Sequence, residues 1–407
     1  MMKYKRLGWN TWLFEYERNS VTIRVSRVRN DGDAIPAEIE VLSEAHNRPL
    51  AIQRVDLLSG GWQAKLAQRL NGQHPEVWKP IIEEVISTVV MEWRRPPELK
   101  TLTDPIDDRD DEDRTLVEGF LPDRRMTLVY GPGGSGKSLL AHTIALVVAS
   151  GKPMLFLRPT RKVGVAFLDW EDEWPHVRTR LFRLCRGLEI EPPSQLYYFR
   201  MHEPFADSID RLQSKLADLG VEFVVVDSYI PAAGQEPYGE EAARRFHEAV
   251  RILGVTTLVV SHVTKAEVNS NQKSMPIGSV VLWNLARAAW EVRRREEDDD
   301  DLEIALYRRK WNSTAKPAST FALRAHFSEE VIAWKPGEID GTLLRGASIG
   351  TKILTFLREG AKTVQEISEE LGERQNNVRA ALSRLRRTGK IIQIEGEDGI
   401  KRWGLSL

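Results

Sequence analysis

The sequence predicts an α/β core with a mostly parallel sheet, preceded by a small α+β domain and followed by a winged helix. Three observations point there. Over residues 115–338 short apolar runs alternate with helical patterns, as they do where parallel strands are joined by crossover helices. Within that region Met126-Thr127-Leu128-Val129-Tyr130 leads into Gly131-Pro132-Gly133-Gly134-Ser135-Gly136-Lys137-Ser138 and then Leu139 to Leu146. That is the strand, glycine-rich turn and amphipathic helix of a phosphate-binding loop. On either side the patterning changes, at an almost wholly charged run from Thr103 to Arg114 and again at Lys335-Pro336-Gly337.

At 407 residues the chain is long for one core, so two or three domains are expected. Apolar residues make up 42% and charged ones 29%, the composition of a soluble globular protein. The 58 Lys and Arg nearly cancel the 59 Asp and Glu, so any basic surface for an anionic partner must be local. Cys185 is the single cysteine, which excludes an intrachain disulfide or a cysteine-rich metal site and fits a reducing compartment. No opening stretch resembles a signal peptide, and apolar runs such as Ile144 to Ala149 are too short to span a bilayer. The expectation is a cytoplasmic protein with no membrane partner.

Residues 1–98 read as the small α+β domain. Thr11 to Glu17 and Ser20 to Val28 alternate like strands joined by Arg18-Asn19, Ile35 to Val41 adds a third, and helical spacing covers Gln63 to Leu70 and Glu76 to Glu92. Trp9, Trp12, Trp62, Trp78 and Trp93 suggest base stacking, but tryptophans on such patterns belong to a core more often. Residues 99–114, rich in aspartate, cannot bury themselves and are expected to be a solvated linker.

In the core region the further strand candidates are Met154 to Phe156, Val163 to Leu168, Leu196 to Phe199, Phe223 to Val226, Leu258 to Ser261, Ala289 to Val292 and Leu302 to Tyr307. Helical patterns cover residues 175–187, 208–219 and 239–253. Gly133, Gly134 and Gly136 allow backbone N–H groups to curl around phosphate oxygens, and the helix from Lys137 points its positive end the same way. Residues Gly131 to Leu139 therefore form a cradle for a triphosphate, with Lys137 reaching the β- and γ-phosphates and the Ser138 hydroxyl on Mg²⁺.

Asp227 ends an apolar strand, the position from which a carboxylate supports the same Mg²⁺. Asp169, Glu171 and Asp172 cluster past another strand, and one of them is placed to orient an attacking water. His262 ends a third strand, where it can sense the γ-phosphate or simply be structural. Arg287, entering the next strand, reads either as an arginine finger for a neighbouring subunit or as a partner of the acidic run Glu296 to Asp301, with Arg308, Arg309 and Lys310 as alternative donors. Lys265 and Lys273, on a loop without apolar period from Lys265 to Pro276, suit a sequence-neutral grip on a nucleic-acid backbone.

Residues 347–407 read as the winged helix. Thr351 to Glu359, Val364 to Leu371 (capped by Thr363) and Glu373 to Thr388 are the helices, and Lys390 to Gly404 alternates as a ribbon turning at Glu397-Asp398-Gly399. The third helix carries Arg374, Asn377, Arg379 and Arg384, side chains that bond phosphates and base edges. Protein docking is the other common use of such a module.

Taken together, Glu118-Gly119-Phe120-Leu121-Pro122, the glycine-rich loop, Phe167 to Asp172, Asp227-Ser228, Ser261 to Lys265, Gly278-Ser279 and Ala286-Arg287 resemble the RecA-fold ATPases of the hexameric plasmid-replication helicase RepA group. The resemblance covers the middle half of the chain and implies a RecA-like P-loop NTPase core. It also implies a ring, commonly a hexamer, with ATP and Mg²⁺ between subunits and single-stranded DNA in the channel. Carried over residue by residue, it makes Glu171 the catalytic base and gives Lys137 and Ser138 to phosphate and Mg²⁺. Asp227 then supports the metal, His262 senses the γ-phosphate and Arg287 is the finger. The function expected is a DNA helicase or translocase driven by ATP hydrolysis. Two alternatives stay open: an ATP-switched DNA-binding regulator or loader without unwinding, and a strand-exchange ATPase forming filaments.

Overall fold

Alternation of buried and half-buried residues builds the first sheet. In the computed structural model Val21, Ile23 and Val25 face the core while Thr22 and Arg24 face outward. The structure describes residues 2–6, 10–16, 21–43, 49–70, 75–96, 101, 113–263, 274–278, 280–295, 301–312, 320–344, 346–395 and 399–406. Strands β1 (Met2–Arg6), β2 (Trp12–Tyr16), β3 (Val21–Ser26), β4 (Pro36–Ser43) and β5 (Pro49–Asp56) form an antiparallel meander in chain order, followed by α1 (Gln63–Leu70) and α2 (Pro75–Arg94). Three tryptophans settle as core: Trp12, Trp62 and Trp78 are buried, and Trp93 packs edge-on against Trp12 at 6.3 Å. Trp9 lies outside the described residues, as do the turn at Arg18-Asn19 and residues 102–112 of the expected linker.

The chain divides into two compact units, one of residues 1–111, 203–220 and 248–254, the other of residues 112–202, 221–247 and 255–407. The first holds the meander and, by sequence, α5 (Phe205–Asp218), which is introduced in order below.

The second unit begins with a short ribbon, β6 (Thr115–Val117) and β7 (Leu121–Pro122), and Arg114 and Arg161 both pair with Asp123 at 3.0 Å. In chain order then come β8 (Met126–Gly131), α3 (Lys137–Ser150), β9 (Gly164–Asp169), α4 (Trp174–Leu188), β10 (Leu196–Arg200), α5 of the first unit (Phe205–Asp218), β11 (Val221–Asp227), α6 (Tyr229–Ala233), α7 (Glu240–Leu253), whose residues from 248 on belong to the first unit, β12 (Thr256–His262), α8 (Val280–Leu285), β13 (Ala288–Arg294), β14 (Leu302–Trp311), β15 (Thr320–Phe327) and β16 (Ile332–Pro336). Among the described residues these strands make one nine-stranded sheet in the order β10-β9-β11-β12-β8-β13-β14-β15-β16. It is parallel from β10 to β13 and antiparallel beyond. The fold is a mixed α/β architecture with a mostly parallel central sheet, as expected of a RecA-like P-loop core.

Four expectations change. The helix after the glycine-rich loop is not amphipathic: Leu139 through Ala149 are all buried, because the sheet lies on one side and α4 and Trp334 on the other. Met154 to Phe156 is no strand but a tight turn bridged from Met154 to Leu157, with Leu155 at φ 51°. Strand β14 runs on to Trp311, so Arg308, Arg309 and Lys310 lie within it; a cationic run looks like a strand end unless a buried acid, here Glu291, awaits it. Finally β1, β5, β15 and β16 carry too little contrast between their faces to announce themselves.

At the C-terminal end lie α9 (Gly341–Leu344), α10 (Ile349–Phe356) with a 3₁₀ turn over Leu357–Glu359, α11 (Val364–Leu371), α12 (Gln375–Arg387) and an antiparallel ribbon, β17 (Ile391–Glu395) and β18 (Lys401–Leu405). A capping box of Thr363 and Glu366 starts α11. Ile353, Leu357, Ile367, Val378, Leu382 and Ile391 close a small core. Among the described residues no helix is long and apolar enough to cross a membrane.

Candidate active site at the carboxyl edge of the sheet

The parallel register aligns the ends of four strands. Gly131 stands beside His262, Asp227 beside Val260, and Asp227 again beside Asp169, so the glycine-rich loop, the histidine and the acids all leave the same edge. In open α/β sheets this is the edge that binds ligands. At Gly131 a Cβ would meet the Val292 carbonyl oxygen at 2.2 Å; at Gly136, φ is 81° and a Cβ would sit 2.6 Å from Leu302. Both positions therefore require glycine.

Lys137 starts α3 and is 4% exposed; its ammonium donates to the Pro132 carbonyl at 2.6 Å, which keeps it inside the loop. Burial pushes its pKa down to about 8, although Asp227 and Glu171 favour the charged form. Asp227 is 4% exposed, with the Ser138 hydroxyl close enough to favour its charged form. Burial, with Glu171 and Asp169 nearby, raises its carboxyl to about 7 against the pull of Ser138 and Lys137. Ser138 and Asp227 offer a hydroxyl and a carboxylate side by side, which fits Mg²⁺, an ion that takes few protein oxygens and keeps water and phosphate for the rest.

Asp169 ends β9 and Glu171 and Asp172 follow it, and the geometry gives the three acids different work. Asp169 is buried, and its Oδ1 accepts from the backbone N–H groups of Glu171 (2.8 Å) and Asp172 (2.9 Å), fixing the turn. Asp172 is committed to Arg180 at 3.0 Å and His176 at 3.2 Å. Glu171 instead faces the loop: it accepts from the Ser228 hydroxyl, and His262 Nε2 lies 3.7 Å from its Oε1, just beyond hydrogen-bond reach. His262 first, then Ser228, hold its carboxyl below the usual range against the effect of burial. The Glu171 side chain remains 47% exposed, open to a water. Behind the turn, the fully buried His142 ring stacks on Phe167 of β9 at 4.3 Å, and burial lowers its pKa to about 3, so it is neutral.

Arg287 is not brought to this site. It precedes Ala288, whose register partner is Thr127, so it lies at the opposite edge, about 15 Å from the chain's own loop at 3.3 Å per strand residue. Asp301 pairs with Arg324 and His326, Arg309 with Glu291, and Lys310 caps the Trp283 and Asn284 carbonyls. Lys265 and Lys273 lie outside the described residues. Arg374, which caps α12, and Asn377, Arg379 and Arg384 on it are all exposed, Arg379 bonding to Gln375 (3.0 Å) and Asn376 (3.4 Å) of its own helix. Ser228 and the turn-fixing role of Asp169 were not anticipated. An aspartate followed by N–H groups two and three residues on is the signal that could have found the second.

The fold and this edge together are those of a RecA-like P-loop core. Compared with known proteins, residues 94–268 match the family described as AAA domain. A solved KaiC-like protein from Pyrococcus horikoshii OT3 aligns at 15% identity over 57% of this chain and 100% of that one, with a TM-score of 0.40. No curated protein matches.

Proposed function

We propose that the protein is a ring-forming motor, commonly hexameric in its class, that hydrolyses ATP to move along or remodel DNA. The observation that carries the reading is the convergence of Lys137, Ser138, Asp227, Glu171 and His262 at one strand edge. The glycine-rich loop and Lys137 hold the β- and γ-phosphates. Ser138 and Asp227 would hold Mg²⁺, which would supply positive charge against the charge developing on those phosphates. Glu171, held by Ser228, orients the water that attacks the γ-phosphorus in line, and His262 stands where its position responds to that phosphate. Arg287, too far for its own site, serves a neighbour's, which makes assembly a condition of full activity. Lys265 and Lys273 grip single-stranded DNA, and residues 347–407, read as a winged helix, contact duplex through Arg374, Asn377, Arg379 and Arg384.

The test is ATPase stimulation by single-stranded DNA measured beside displacement of a forked duplex. Both together support the motor; stimulation without displacement would replace it by the ATP-switched regulator.

A further inference from the structure

We infer that Glu291 and Arg309 are positioning residues that couple the phosphate site to the docking of the C-terminal helices, an inference that rests on the ATP-site reading above. Glu291 lies on β13 beside Tyr130 of the loop strand and is 1% exposed. A buried carboxylate is costly unless every partner is in place, so what holds it matters.

Its partners arrive from two directions. Ser274 donates its hydroxyl to Glu291 Oε1 at 2.5 Å, and Arg293 Nε donates to the same oxygen at 2.7 Å. Arg309 Nε donates to Oε2 at 2.6 Å. From Ser274 the contacts lead inward: the hydroxyl of Tyr130, the residue before Gly131, donates to the Ser274 carbonyl at 3.1 Å. Three residues further, Ile277 N–H donates to the His262 carbonyl at 2.6 Å while Pro276 bridges Val263. The segment Ser274–Ile277 is thus fastened to both the loop strand and the histidine that faces Glu171.

From Arg309 the contacts lead outward. Its Nη2 donates to the Gly346 carbonyl at 2.8 Å, two residues before the Ser348 cap of α10. The Tyr307 hydroxyl donates to the Leu343 carbonyl, and Ala305, Tyr307, Leu343 and Ala347 form an apolar cluster. Gly346 approaches so closely that a Cβ would lie 2.9 Å from Tyr307 and 3.0 Å from Arg293. A displacement of Ser274 when phosphate meets His262 either carries Arg309 with it or leaves a buried charge short of a partner. The connector at 343–347 therefore follows the site stepwise.

Hydrogen–deuterium exchange on the full chain, with and without ATPγS and Mg²⁺, tests the link. In the unaltered protein, exchange over residues 343–357 should change at least about fivefold, the low end for coupled sites. Ser274→Ala should still bind nucleotide, followed with a fluorescent ATP analogue, yet lose that change. Gly346→Ala breaks the same link from its other end, by pressing a methyl group against Tyr307 and Arg293, and should do likewise. The inference is overturned if both variants keep the full change, or if the unaltered protein binds nucleotide with no change at 343–357. If no nucleotide binds, the ATP-site reading itself fails and the link goes with it.

Discussion

The carboxyl edge of the sheet and the outward face of α12 both concentrate charge, and they hold it in opposite ways. At the edge, Lys137, Asp169 and Asp227 are almost fully buried, lie against one another and have displaced pKa values. At α12, the capping Arg374 and the helical Asn377, Arg379 and Arg384 stand in solvent, and the helical three bond only within their own helix or to Glu373 just ahead of it. Buried charges that cannot all be satisfied at once define a chemistry unaided, because desolvation makes each depend on the next ligand. Exposed charges define only a capacity, which a partner must complete.

The largest effect should come from the edge. Lys137→Ala removes the cation from the γ-phosphate, and phosphate release should fall by at least about 10²–10³-fold, the loss on deleting one charge-stabilising donor. Next, Glu291→Gln leaves Arg309 and Arg293 buried without their anion, and denaturant unfolding should show a loss of about 3–5 kcal/mol. The comparison would break if an exposed α12 variant cost as much.

The pH dependence sharpens it further. The Asp227 carboxyl stands at about 7 folded against the ordinary 3.8 of an aspartate, so the native state keeps this proton longer than the unfolded chain. Stability from this group is therefore greatest below about 4 and declines as pH rises towards 7. Affinity for Mg²⁺·ATP runs the other way, since the metal needs the carboxylate. Titration calorimetry should find it rising up to about tenfold per pH unit below 7 and levelling above, with the slope lost in Asp227→Asn. The smallest effects belong to α12. Arg379→Ala and Arg384→Ala should each shift stability by no more than about 0.5 kcal/mol and reduce the salt slope of DNA binding by about one.

The same contrast explains what the sequence could tell. The glycine-rich loop, Asp227 and His262 were legible because each chemistry sits at the end of a strongly apolar strand, and strand ends are where period and polarity change together. The residues alone left Glu171 and Asp172 open and only the resemblance chose between them, because what separates the two is Arg180 and His176 holding Asp172 away from the loop. Glu291 was invisible, a single acid in a strand whose partners Ser274 and Arg309 are 17 and 18 residues distant. The antiparallel extension β15–β16 was missed for a related reason: Thr320–Phe327 mixes buried and half-exposed residues without clean alternation.

The central claim is that Glu171 works as the base on a nucleotide held by the loop. Single-turnover hydrolysis of Mg²⁺·ATP by Glu171→Gln, with binding measured in the same samples, tests it most directly. The account predicts near-unaltered binding and a hydrolysis rate lower by about 10²–10⁴-fold, the usual contribution of a positioned base. Full-speed hydrolysis in that variant would contradict it and pass the role to Asp172.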